Sequence, residues 1–130
     1  MSGNSQIIVD SNIVIAILNG EKKVTIKLEK QKVYIPSIVI GELYYGANQS
    51  KLSTKNKEKI EVFASKCTIL LIDEATGKEY GIIKSELKQK GKPIPENDIW
   101  IAALAKQYDI PIATRDKHFK QIKGIDLVEL

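Results

Sequence analysis

The chain has 130 residues, 43% of them hydrophobic and 28% charged, and carries 20 basic against 16 acidic side chains for a formal net charge of +4. That length suits a single domain over residues 1–130, large enough to bury about two-thirds of its unfolded surface without staples, and no apolar run approaches the ~20 residues of a membrane span. One cysteine, Cys67, excludes an internal disulfide and a thiolate cluster, and one histidine, His118, excludes multi-histidine zinc sites, so any metal is expected to be held by oxygen.

The start, Met1 to Gln6, is polar and lacks a basic-then-apolar order, so no secretory signal is expected and cytoplasmic residence is the default. Gln6 to Val9 opens a β-branched run that reads as a strand buried on both faces, and Asp10-Ser11-Asn12 ends it and caps a helix over Ile13 to Leu18. Asp10 is then either a simple N-cap or a group at the strand's carboxyl end, where open α/β sheets bind ligands. Lys22 to Lys30 reads as a surface helix and Val33 to Ile35 as a short strand. A helix from Ser37 to Ala47 follows, started by Pro36 and ended near Gly46. Within it Ile38, Val39, Leu43 and Gly46 surround Glu42, which puts a carboxylate in or beside an apolar stripe.

Ser53 or Thr54 can cap a helix from Lys55 to Ser65, which pairs with the preceding one as a hairpin over the sheet edge. Thr68 to Ile72 reads as a second all-apolar strand. Asp73-Glu74 opens a long helix that Gly91 stops near Lys90, and these two acids suit the helix dipole without any chemical role. Lys84 and Lys88, with Lys90 and Lys92, form a solvated face that could reach substrate phosphates. After Pro95 comes Glu96-Asn97-Asp98 and an Ala-rich apolar helix. Either Asn97 or Asp98 can cap it, yet Asp98 also shares a face with Ile101, Ala102 and Ala105. Ile110 to Asp116 repeats the opening pattern of apolar strand, small hydroxyl residue and acid, and Ile125 to Glu129 supplies a last strand. Strands and helices alternate with short connections, which predicts an α/β fold with a parallel sheet and helices on both faces.

Four acids, Asp10, Glu42, Asp98 and Asp116, thus sit at strand ends or on apolar helix faces. Two carboxylates about 4 Å apart repel by roughly 4 kcal/mol at an effective dielectric near 20, so four would converge only around cations. Oxygen-only ligands without histidine or thiolate select hard ions such as Mg²⁺ or Mn²⁺, which activate water and neutralise phosphate oxygens in phosphodiester hydrolysis. The surplus of lysine favours a polyanionic partner, and the single arginine, Arg115, follows Thr114 at the second strand end.

Val9-Asp10-Ser11-Asn12, Ile40-Gly41-Glu42-Leu43, Asn97-Asp98-Ile99-Trp100-Ile101-Ala102-Ala103 and Thr114-Arg115-Asp116 resemble, in order and spacing, the successive motifs of PIN-domain ribonucleases, most closely the VapC toxins of toxin–antitoxin pairs. The resemblance implies a three-layer α/β/α sandwich and a Mg²⁺- or Mn²⁺-dependent endoribonuclease. Asp10, Glu42, Asp98 and Asp116 become the catalytic, metal-binding acids, supported by Ser11, Asn12 and Thr114. Ser11 stands where the family often has threonine and keeps the hydroxyl. Glu96 is an additional outer acid, and Arg115, Lys84 and Lys88 are candidates for RNA contact. The resemblance further implies a 3′-hydroxyl and a 5′-phosphate as products, an antitoxin that inserts arginine or lysine into the acidic cleft, and a homodimer, with Tyr44, Tyr45 and Phe63 as candidate interface aromatics. The alternatives are a housekeeping PIN nuclease of RNA processing and an inactive PIN-like binding module. The latter would be expected to have lost one of the four carboxylates. An aspartate-nucleophile phosphatase would want a second aspartate two residues after Asp10, where Asn12 stands.

Overall fold

The structure, a computed structural model, describes residues 5–130; the reading of the first four residues as free of a signal lies outside them. Five strands alternate with six helices: β1 (Gln6–Val9), α1 (Ser11–Leu18), α2 (Lys22–Leu28), β2 (Lys32–Pro36), α3 (Ser37–Gln49), α4 (Ser53–Ser65), β3 (Thr68–Leu70), α5 (Glu74–Lys90), α6 (Glu96–Tyr108), β4 (Ile112–Ala113) and β5 (Leu127–Val128). A 3₁₀ turn, Lys117–Gln121, lies between the last two strands. All pairings are parallel and the order is β3-β2-β1-β4-β5, a three-layer α/β architecture. The chain builds outward from β1 to β3, then crosses back to place β4 on the other side of β1. The strand order therefore reverses between β1 and β4, and a crevice at the carboxyl ends of that pair is where such sheets bind ligands. Ile7, Ile8 and Val9 of β1 are fully buried, as a central strand covered on both faces requires.

Several local expectations need correction. Thr68 to Ile72 is not a buried five-residue strand: only Thr68–Leu70 pairs, at the sheet edge, and Leu71 is 66% exposed. One neighbour on one side leaves an apolar run half covered, which composition cannot reveal. Ser53 and Thr54 lie inside α4, whose cap position is Leu52 with no side-chain hydrogen bond. The opening helix of the hairpin runs past Gly46 to Gln49. The apolar strand that opens the Ile110 to Asp116 segment is only Ile112–Ala113, and the chain leaves the sheet after Ala113 to form the site. Tyr44 and Phe63 pack against the core, leaving Tyr45, 70% exposed, as the one free aromatic of the three. Cys67 is half-buried beside the core, and burial pushes its thiol up to about 11, so it is an inert packing residue.

The long helix α5 is bounded as its residues dictate. Asp73 accepts from the Thr76 backbone while the Thr76 hydroxyl accepts from the Asp73 backbone, and Gly91 closes the other end in the left-handed region, φ 64°. The Thr76 hydroxyl is fully buried and also meets Gln107 of α6, tying α5 to α6. Thr76→Val keeps the shape and the backbone bond to Asp73 but removes the hydroxyl's bonds to Asp73 and Gln107, so a loss of about 1 to 2 kcal/mol is expected in urea denaturation. An unchanged midpoint would show that the hydroxyl's half of the box and the Gln107 contact contribute nothing net.

Candidate metal centre

Register explains the first half of the site. Val9 pairs with Ala113, so the next residues, Asp10 and Thr114, leave the ends of adjacent central strands side by side. The Thr114 hydroxyl donates to Asp10 Oδ2 at 2.7 Å, and the Ser11 backbone donates to Oδ1 at 2.8 Å. Asn12 completes the tie: its amide nitrogen lies 3.4 Å from both Asp10 Oδ2 and Thr114 Oγ1, and its oxygen accepts from the Arg115 backbone at 3.1 Å. Asp10 therefore is the N-cap of α1 and is also part of a polar cluster, two readings the sequence left as alternatives. Only 4% of its surface is exposed, and burial, aided by the nearby Asp116 charge, raises its carboxyl above the ordinary range against the pull of these hydrogen bonds.

The second half comes from α6 and the 3₁₀ turn. Asp98 does not cap α6: Pro95 holds the cap position, and Asp98 is the third helical residue, 7% exposed, on the buried side. Its carboxyl is pushed up to about 6, chiefly by burial, with Asp116 and Asp10 adding repulsion and a His118 hydrogen bond opposing. Asp116 caps the 3₁₀ turn, accepting from the His118 backbone at 2.9 Å, and its own backbone donates to Thr114 at 3.0 Å. Glu42, on α3 where that helix packs on α6, is also raised, first by burial and then by the Asp10 charge, while Asn97 holds it down. Its Oε1 is buried with no hydrogen-bond partner.

Asp10, Asp98 and Asp116 thus lie within electrostatic reach of one another, and Glu42 within reach of Asp10. The remaining predicted residues do not all join them. Glu96 points elsewhere, held by Tyr80 and Lys84, as expected for a residue two positions from Asp98 on a helix. Lys84 is committed to that ion pair at 2.9 Å, and Lys88 stands on the exposed face beyond it. Arg115 directs its guanidinium away, onto Glu21 at 2.8 Å and the Leu130 carbonyl at 3.1 Å.

Two residues were missed. His118 places Nδ1 2.8 Å from Asp116 Oδ1 and 3.1 Å from Asp98 Oδ2, which adds a nitrogen to a site expected to hold oxygen ligands alone. Its ring is raised above its ordinary pKa, first by the Asp98 hydrogen bond and then by the neighbouring charges. The available signal was the Asp116-Lys117-His118 spacing, since a turn capped by an acid returns the second residue toward it. Asn97 was read only as a cap, although it stands beside Glu42.

A partnerless buried carboxylate oxygen, carboxyls raised chiefly by burial with repulsion between them adding, and a ligand group formed by Asp98, Asp116 and His118 suit a cation site, and these residues can hold a metal ion.

A PIN domain model matches residues 7–125 of the chain. Ribonuclease VapC2 of Haemophilus influenzae is 35% identical over 117 residues, 87% of this chain and 89% of that one. The tRNA(fMet)-specific endonuclease VapC of Shigella flexneri is 30% identical over 120 residues, 89% of this chain and 91% of that one. Among solved structures, VapBC2 from Rickettsia felis, bound to a DNA fragment from its promoter, superposes with a TM-score of 0.90 at 30% identity, covering 96% of this chain and 98% of that one. The parallel α/β sheet with acids at the ends of β1 and β4 fits the class these matches define, and the chain belongs to the PIN-domain family, within its VapC ribonucleases.

Proposed function

We propose that this chain is an endoribonuclease dependent on Mg²⁺ or Mn²⁺ and the toxin of a toxin–antitoxin pair. The observation that carries the reading is the close grouping of Asp98 and Asp116 with His118, with Asp10 in electrostatic reach of both acids and of Glu42, one of whose oxygens is buried and unpartnered. Asp10, Asp98, Asp116 and Glu42 would hold the cation, which when bound neutralises phosphate oxygens and lowers the pKa of water. Thr114, Ser11 and Asn12 fix the Asp10 carboxylate so that it is oriented before substrate arrives. Glu42, raised and lacking a partner on one oxygen, orients the attacking water. Attack in line at phosphorus then leaves a 3′-hydroxyl and a 5′-phosphate. An unstacked RNA loop suits a crevice that must admit the backbone, and the Shigella relative's tRNA specificity makes structured tRNA the first substrate to test.

The expected result is cleavage of structured RNA that vanishes in chelator and returns with Mg²⁺ or Mn²⁺. Ca²⁺, with its larger and looser shell, should restore it poorly. Undiminished cutting in chelator would exclude the metal mechanism, and no cutting under any condition would favour the inactive binding module.

An antitoxin partner is supported by the solved relatives, which are VapBC complexes. It is also supported by an apolar groove of about 300 Å³ between α1, α3 and α4, lined by Ile15, Leu18, Leu43, Ala47 and Ile60 and reaching Ser11 and Glu42. A segment with apolar residues in this groove brings an arginine or lysine to the acids. Expression alone should arrest the host, and co-expression of the neighbouring gene should relieve it; a harmless chain would favour a housekeeping nuclease. Homodimerisation, with Tyr45 in the contact, would appear as twice the monomer mass in light scattering. No helix among the described residues is long and apolar enough to cross a membrane, which is compatible with the cytoplasmic location such a toxin needs.

A further inference from the structure

His118 is the one member of the cluster that a mechanism built on four acids leaves without a role. It is also the only histidine in the chain. The 3₁₀ turn holds it in place: its backbone donates to Asp116 and the next residue, Phe119, is fully buried. The ring itself is half exposed, with Nδ1 directed between two carboxylates. One ligand atom from each of Asp98, Asp116 and His118 falls within 4.8 Å of the other two. The nitrogen stands 2.8 Å from Asp116 Oδ1 and 3.1 Å from Asp98 Oδ2. In a six-coordinate shell with bonds of about 2.1 Å, adjacent donor atoms are roughly 3.0 Å apart, so the nitrogen already has the spacing of a neighbouring ligand to both oxygens.

We propose that His118 Nδ1 is a direct ligand of the cation held by Asp98 and Asp116, giving a mixed nitrogen and oxygen site that favours Mn²⁺ over Mg²⁺. Imidazole suits first-row transition ions, whereas Mg²⁺ keeps oxygen ligands and water, so a nitrogen donor strengthens binding of the first more than of the second. The inference rests on the cation site proposed above but not on what that site cleaves.

The test is pulsed electron paramagnetic resonance on tag-free, Mn²⁺-loaded protein with no RNA present. Nitrogen modulation from a coordinated imidazole is expected, and because the chain has one histidine the signal is assignable without ambiguity. His118→Ala and His118→Gln should both abolish it and weaken Mn²⁺ binding about tenfold, with a much smaller change for Mg²⁺ in calorimetry. Absence of imidazole modulation in the parent with Mn²⁺ bound would overturn the proposal, as would modulation that persists in either variant. Equal or tighter binding of both cations by the variants would make His118 a displaced counter-ion and also overturn it. Should a variant misfold, the parent spectrum alone still decides. A protein that shows the nitrogen signal but cuts no RNA keeps this inference and loses the nuclease reading.

Discussion

Asp98→Asn should melt higher than the parent in chelator at pH 7 while losing RNA cleavage in Mg²⁺ or Mn²⁺. Raising the Asp98 carboxyl from 3.8 to about 6 means that its ionised form opposes folding by roughly 3 kcal/mol. The amide keeps the shape and removes the buried charge but gives up the His118 ion pair, so a net gain of roughly 1 to 2 kcal/mol is expected, or several degrees in melting temperature. The pH dependence has a definite sign. Between 3.8 and about 6 the folded state binds more protons at Asp98 than the unfolded chain does, so metal-free stability falls as pH rises through that window. The raised carboxyls of Asp10 and Glu42 act in the same direction. His118, also raised, contributes stability below 6.5 that is lost as pH climbs through its folded value. The Asn variant should lack the Asp98 part of the slope. Saturating Mg²⁺ should stabilise the parent at pH 7 and the variant far less, because an amide is a weak ligand for a hard dication. A variant that melts no higher than the parent and still cuts RNA would reduce Asp98 to a buried structural acid.

Phe119→Ala should be the more damaging change to the fold. Phe119 is the largest fully buried side chain among the described residues and sits in the 3₁₀ turn between Asp116 and the last strand. Truncation leaves a cavity and costs about 3 to 5 kcal/mol, a large share of the roughly 5 to 15 kcal/mol that keeps a domain folded. The turn that presents Asp116 and His118 loses its anchor at the same time, so cation affinity should fall in whatever fraction remains folded. Phe119→Leu fills most of the space and should retain both properties to a greater degree. Urea denaturation that places the Ala midpoint within about 1 kcal/mol of the parent would show that α6 and β4, not Phe119, hold the turn.

The pattern of residues by itself determined which segments are strands and helices and which acids are out of place. Ile7 to Val9 could only be a central strand, and Glu42 and Asp98 were anomalous because charged groups on apolar faces need a reason. Those anomalies are local, set by helix period and strand alternation, and local sequence carries them. What each side chain meets across the fold depends on residues far away in the chain, and only the tertiary structure decided that. Asp10 faces Thr114 because β4 pairs with β1 across 104 positions. Thr68 to Ile72 lost its expected burial because its strand fell at the sheet edge. Arg115 and Lys84 were drawn off by Glu21 and Glu96, partners that no local pattern names. His118 entered the site for the same reason: a turn anchored by Phe119 carries its ring back over Asp98, 20 residues earlier, where two carboxylates attract it.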